Sequence, residues 1–271
     1  YMIKSLFKLN TILILFLGFL IANQESAGKK SNWPKNTTKD KLDDVDFDMD
    51  CVSSALKSIG CNCSNDGDCN SGACYKGPKG SFCIPVKGTQ VPRFQAIDQY
   101  GEVVDLYDFA HQNKIIALEL GTTWCSPCKD LAAWFSVGDE KVTQNPWWKN
   151  DYFKIKELIE EDQIFFVTVL FEDIYRDDAT PETVSQWHED YPSQQIPVLA
   201  DEYRMLYNWI KPTGFPVVVL LDENMKLLNY THRGLNEAFD ILSGIKKVRP
   251  NKRRHHSVKK KLSNKAPIKI K

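Results

Sequence analysis

Only one Cys-x-x-Cys occurs in this 271-residue chain, no Cys-x-x-His accompanies it, and the five histidines are scattered. A structural zinc site draws its four ligands from two such pairs, so the Cys125/Cys128 pair is not read as a metal site. Long apolar runs are also scarce. The run from Ile12 to Ala22 holds eleven residues, short of the roughly 20 that a spanning helix needs. Lys4 and Lys8 precede it and Asn23-Gln24-Glu25-Ser26 follows, the layout of a secretory leader. Leu20 stands at the minus-three position for a cut after Ala22, so residues 1–22 read as a signal peptide or an uncleaved N-terminal anchor. No cysteine follows the run closely, which argues against lipoprotein attachment.

Acidic residues are missing from the last stretch. Residues 246–271 hold 12 Lys or Arg and no acid, although the whole chain balances at 35 basic against 35 acidic. The body is therefore acidic and the tail basic. From 248 onward, Arg253-Arg254-His255-His256 and Lys259-Lys260-Lys261 show no apolar period, which reads as a disordered tail. It is either a solvated extension or a contact for an anionic membrane surface or an acidic partner. Outside the cytoplasm nucleic acid is rarely the partner, so none is expected. Residues 23–50 cluster Asp40, Asp43, Asp44, Asp46, Asp48 and Asp50 without the Gly and terminal Glu of a calcium loop, and read as an acidic polar linker.

Cysteines then crowd. Cys51, Cys61, Cys63, Cys69, Cys74 and Cys83 fall within 33 residues among Gly, Asn, Asp and Ser. So short and polar a segment buries too little apolar surface to fold alone, and three disulfides supply the constraint that burial lacks. Six cysteines allow 15 pairings, and the sequence selects none of them. Residues 51–87 thus form a small disulfide-rich module, a stapled spacer or docking unit, in agreement with export. Zinc is the sharper and less favoured reading.

The chemistry centres on Trp124-Cys125-Ser126-Pro127-Cys128-Lys129, which follows the buried-strand run Ile115 to Leu120 and precedes a helical pattern. With the helix starting near Ser126, Cys125 sits at its N-terminus. Unpaired N–H groups and the positive end of the helix dipole there favour a thiolate, so Cys125 is the expected nucleophile. Cys128, one turn on, resolves the mixed disulfide formed at Cys125. Pro127 suits the first turn, having no N–H to leave unpaired. Glu119 is a lone carboxyl inside Ile-Ile-Ala-Leu-Glu-Leu; burial raises its pKa, and a carboxyl poised near neutrality can exchange a proton with Cys128. Downstream, Thr213-Gly214-Phe215-Pro216 opens an apolar run, and a proline at the head of a strand after a Gly turn is a candidate cis peptide.

Around these residues the pattern alternates. Val91–Ala96 and Glu102–Asp105 read as a hairpin, Leu106–Ala110 as a short helix, and Ser126 to about Val137 as the active-site helix ended by Gly138. Trp147 and Trp148 lie in an inserted loop, where packing outweighs a partner-facing lip. Tyr152–Glu161 is helical and Ile164–Phe171 is a central strand. Thr180 caps a helix reaching about Tyr191, Asp201 begins a short helix, Pro216–Leu221 pairs with Lys226–Tyr230, and Asn236–Lys247 closes the domain. The expectation is α/β, a mixed sheet flanked by helices over residues 88–247.

From these landmarks, residues 88–245 resemble the thioredoxin-fold, TlpA/ResA-like (redoxin) extracytoplasmic thiol–disulfide oxidoreductases. The stretch Val91 to Leu106 is similar to that family's N-terminal hairpin, Trp124 to Cys128 to its WCxxC, and Gly214-Phe215-Pro216 to its cis-proline segment. The resemblance places a buried acid at Glu119 and a second acid, facing the cysteines, at Glu172. It implies a reductase in the periplasm or outside the cell that needs no cofactor and no metal. Such an enzyme receives electrons from a membrane donor and serves apo-cytochrome c or other cysteine-containing proteins. Trp124, Phe215 and Pro216 would contact the substrate, the Phe215 backbone pairing with it as an added strand. Two other readings remain. One is a secreted binding protein that uses the Cys-rich module and keeps the α/β domain as scaffold. The other, ranked lower, is a thiol peroxidase, disfavoured because Thr122 and Thr123 precede a Cys-x-x-Cys rather than a single peroxide-reactive cysteine.

Overall fold

The structure, a computed structural model, describes residues 31–42, 47, 49, 51–52, 55–78 and 80–246. The leader at 1–22 and the basic tail at 248–271 lie outside the described residues. In chain order the strands are β1 (Cys74–Gly77), β2 (Gly80–Cys83), β3 (Gln95–Ile97), β4 (Val103–Asp105) and β5 (Ile116–Gly121). Helix α1 (Ser126–Val137) and helix α2 (Phe153–Glu160) lead to β6 (Phe165–Leu170) and α3 (Pro181–Asp190). There follow β7 (Val198–Ala200), α4 (Met205–Ile210), β8 (Gly214–Leu221), β9 (Leu227–Asn229), β10 (Arg233–Gly234) and α5 (Asn236–Ser243).

The main sheet runs β10-β8-β5-β6-β7, with β9 also paired to β8. Strands β5, β6 and β7 are parallel to one another, while β8 is antiparallel to β5. All six residues of β5 are buried, which explains its uninterrupted apolar run: helices and hairpin cover both faces. Leu118, Leu120, Val167, Val169, Val217 and Val219 face a core shared with the β3–β4 hairpin and α4, including Tyr107, Phe109 and Trp209. Their neighbours Ala117, Phe166, Val218 and Leu220 face the other core, built by α1, α2 and α5 with Leu131, Trp134, Ile155 and Phe239. The period of two in the strands thus assigns each side chain to a layer. The order β9/β10-β8-β5-β6, reached through a β5-α1-β6 crossover and closed by α5, is the thioredoxin fold.

Helix α1 begins where the sequence places it. Pro127 sits in its first turn, and Gly138 ends it at φ 77°, a left-handed conformation that glycine adopts without steric cost. Trp148 packs edge-on to Trp134 at 4.8 Å and to Tyr152 at 5.5 Å; the inserted loop belongs to the core. The closing helix ends at Ser243, earlier than expected. Asp201 does not begin the α4 helix but caps it from upstream, accepting N–H bonds from Met205 at 2.7 Å and Tyr207 at 2.9 Å.

Strands β1, β2, β7 and β10 and the packing of residues 31–42 were not expected. Strand β7 has three residues, too few to show a period. Residues 31–42, read as part of a solvated linker, pack on the domain: Trp33 Nε1–H donates to Asp98 Oδ2 at 2.7 Å, and Lys39 Nζ meets Asp108 Oδ1 at 2.8 Å. In the Cys-rich module the pairs are Cys51–Cys61, Cys63–Cys74 and Cys69–Cys83. The sulfur atoms of Cys63, Cys69 and Cys74 lie within 4.8 Å of one another, yet each is in a disulfide and offers no thiolate to zinc. Among the described residues no helix is long and apolar enough to cross a membrane.

Candidate active site

Strand β5 ends at Gly121 and the chain turns through Thr122, Thr123 and Trp124 into α1, so the strand's C-terminal edge and the helix's first turn hold the cysteines together. Cys125 is the N-cap residue, with φ −78° and ψ 108°. Its Sγ accepts the N–H of Cys128 at 3.3 Å, the contact that would steady a thiolate when the pair is reduced. Here Cys125 and Cys128 are joined, with their Cα atoms 5.3 Å apart. Cys125 is 4% exposed and Cys128 1%, so Cys125 is the less buried residue of the pair.

Glu119 lies below this turn on β5. Register pairs it with Thr168 on β6 and Val218 on β8. The Thr168 hydroxyl donates to Glu119 Oε2 at 2.7 Å, and among the described residues no cation offsets the buried carboxyl. Burial pushes its pKa up to about 7, against a smaller lowering by the Thr168 bond. Gly121 keeps the space between carboxyl and thiol open. A Cβ there would stand 3.3 Å from Cys128 Sγ and 3.8 Å from Glu119 Oε1, so the two groups face each other across a bare backbone.

Glu172 occupies a different place from Glu119. Its Oε2 accepts the indole N–H of Trp124 at 2.8 Å, and its Oε1 accepts from Arg204 Nη1 at 2.9 Å. Arg204 Nε is held in turn by Asp178 Oδ1 at 2.6 Å. The Arg176 guanidinium lies 4.0 Å from the centre of the Trp124 ring, a cation–π contact. Trp124 is therefore clamped by Glu172 beside it and Arg176 over its face, and the Glu172 oxygens are spent on that clamp rather than turned to the cysteines.

The Phe215–Pro216 bond is cis. The β8–β10 ladder pairs Gly214 with Arg233 and Val217 with Gly234, skipping Phe215 and Pro216, and β5 reaches only as far as Val217. Phe215 lies within β8 but has no Cα partner in either register, and its ring meets Trp124 edge-on at 5.9 Å and Phe171 at 5.1 Å. Trp124, Cys125, Cys128, Glu119 and Phe215-Pro216 converge on one end of the sheet. Thr168, Gly121, Arg176 and Arg204 were not singled out by sequence. A Thr inside Phe-Phe-Val-Thr-Val-Leu was a usable signal, being the polar interruption that answers Glu119; the two arginines come from loops with no pattern.

No protein-family model and no curated protein matches the chain. Among solved structures it is similar to the exposed lipoprotein thioredoxin Etrx1 of Streptococcus pneumoniae, at 18% identity over 56% of this chain and 99% of that one, TM-score 0.39. It is similar also to the thioredoxin domain of a thiol-disulfide oxidoreductase from Bacteroides vulgatus, at 18% identity over 58% of this chain and 98% of that one, TM-score 0.40. A third is a thioredoxin-like protein from Bacteroides caccae, at 14% identity over 58% of this chain and 48% of that one, TM-score 0.41.

Proposed function

We propose that the protein is an exported thiol–disulfide oxidoreductase of the TlpA/ResA kind that reduces disulfides in partner proteins. The observation that carries this reading is the Cys125/Cys128 pair at the N-terminus of α1 with the Glu119 carboxyl facing Cys128 across Gly121. In the reduced protein the Cys125 thiolate attacks one sulfur of a partner disulfide. A mixed disulfide forms, and the partner's other sulfur leaves as a thiolate that takes up a proton. Glu119 accepts the proton of Cys128, whose thiolate attacks Cys125 Sγ and expels the second partner sulfur. The partner gains two electrons and the pair becomes a disulfide, which a membrane dithiol donor must reduce again. Trp124, Phe215 and Pro216 form the contact surface, and the Phe215 backbone receives an extended segment. Glu172 serves by holding Trp124.

Three disulfides in the Cys-rich module support an oxidising, extracytoplasmic location, with residues 1–22 as leader or anchor and the basic tail against an anionic membrane or acidic partner. A Cys128→Ser variant is expected to trap the partner on Cys125, detected as a dithiothreitol-sensitive adduct, while Cys125→Ser traps nothing. Adducts from Cys125→Ser alone would reverse the two roles, and adducts from neither would remove the reading.

A further inference from the structure

We infer that the Cys-rich module and the α/β domain together form a subsite beside the redox pair for an acidic residue of the partner polypeptide; this rests on the proposed function. The hairpin of β1 and β2 comes up against the β8–β10 edge at the end of the sheet where Phe215 lies. The Tyr75 ring lies 4.1 Å from the His232 ring and 5.3 Å from that of Phe82. A cleft of about 250 Å³ opens there, walled by Tyr75, Pro78 and Phe82 of the module and by Thr213, His232 and Arg233 of the domain. Thr213 and Gly214 directly precede Phe215, so an extended chain pairing with Phe215 runs past this cleft.

Its charge comes from Arg233. Among the described residues Arg233 and His232 line it and no carboxylate does, Glu237 acts on His232 from outside the lining, and Arg233 has no ion-pair partner. Gly214 lets the arginine lie over the strand: a Cβ at Gly214 would stand 3.0 Å from Arg233 Cγ and 3.1 Å from its Nε. On the opposite wall Gly80, at φ 130°, has open space where a Cβ would be, leaving room for backbone. The rings of Tyr75 and Phe82 supply apolar cover that lowers the local dielectric and strengthens a guanidinium–carboxylate pair. Within a body that is otherwise acidic, this is a cationic notch flanked by aromatics. The occupant it fits is a cysteine-bearing segment with Asp or Glu a few residues from its cysteine.

The test uses the full chain and labelled peptides in which Ser replaces the central Cys, flanked by Glu, Ser or Lys, with binding read by fluorescence anisotropy. The Glu peptide should bind about tenfold more tightly than the Lys peptide. That preference should weaken in about 1 M salt, where the screening length is about 3 Å. Arg233→Glu should invert the order and Arg233→Gln should abolish it. Equal affinities in the native protein, or a preference that survives both Arg233 changes, overturn the subsite; the salt series on the native protein decides the matter if a variant does not fold. Turnover of bis(2-hydroxyethyl) disulfide by the native protein is measured beside this. Turnover without peptide preference removes the subsite and keeps the redox reading, and preference without turnover removes the redox reading and keeps the cleft as a peptide site.

Discussion

Glu119→Gln separates the two consequences of burying a carboxyl under a thiol. Gln preserves the shape and an acceptor for the Thr168 hydroxyl but cannot ionise. In the folded protein Glu119 has its pKa at about 7, against 4.5 without burial. Between these values the native state holds a proton that the unfolded chain has released. The stability this proton supplies is complete below the unfolded value, falls as pH rises, and is lost above about 7. A displacement of about 2.5 units at 1.36 kcal/mol each is about 3 kcal/mol. Urea unfolding of the oxidised protein across the range reads this directly, because the joined cysteines do not titrate. Asp201, raised to about 6 by burial in spite of its helix-capping bonds, adds a second fall between its unfolded value near 4 and about 6. That slope is present in both proteins and cancels in the comparison. The expected result is equal stability near pH 4 and a Gln variant more stable by about 3 kcal/mol near pH 8, with the second step of disulfide exchange slowed about 10²-fold. Superimposable stability curves would refute the reasoning, since Glu119 would then ionise normally and have no proton to hold at neutral pH.

Gly121→Ala places a methyl 3.3 Å from Cys128 Sγ and 3.8 Å from Glu119 Oε1; the expected outcome is a loss of about 1–3 kcal/mol in urea unfolding and slower resolution of the mixed disulfide, with attack by Cys125 unchanged in stopped flow. Glu172→Ala frees Trp124 from its 2.8 Å hydrogen bond and is expected to red-shift tryptophan emission and lower kcat/KM about tenfold while leaving the pH profile in place, whereas Glu119→Gln moves that profile. Under limiting dithiothreitol, Cys125–Cys128 should open first because the helix terminus stabilises the thiolate released; Cys51–Cys61, whose Cys51 is exposed, should open next, and Cys69–Cys83, at 3% and 0% exposure, last. Differential alkylation with mass spectrometry gives the order, and early loss of Cys69–Cys83 would contradict it.

Which parts of this fold were legible follows from where the determining forces are local. β5 and β6 announce themselves because a strand covered on both faces must be apolar at every position. The start of α1 is equally plain, since Cys125 and Pro127 mark its cap and first turn. β7 was invisible for the opposite reason: its three residues acquire strand character only from pairing with β6, a contact between distant segments. Residues 31–42 misled through composition. Their polar side chains suggest solvent, yet Trp33, Asn36 and Lys39 anchor them through bonds to Asp98, Ala110 and Asp108, and polar groups pack when the folded domain supplies their partners.

The candidate site divides along the same line. Glu119 was legible because a carboxyl amid apolar neighbours contradicts the strand around it, and such conflicts concentrate where chemistry is done. Its partner Thr168 obeys the same logic one strand away, and the register that joins them can be anticipated only once β5 and β6 are known to be parallel neighbours. Glu172 shows the limit of position. It stands at the end of the central strand, as the resemblance suggested, but the loop bearing Arg176 and the cap region bearing Arg204 bring two cations to Trp124 and Glu172. A carboxylate answered by a guanidinium and an indole N–H has its lone pairs engaged in holding geometry. Glu119, among the described residues, has only the Thr168 hydroxyl to answer it, and burial holds its pKa at about 7, which is why the proposed mechanism gives the proton transfer to it.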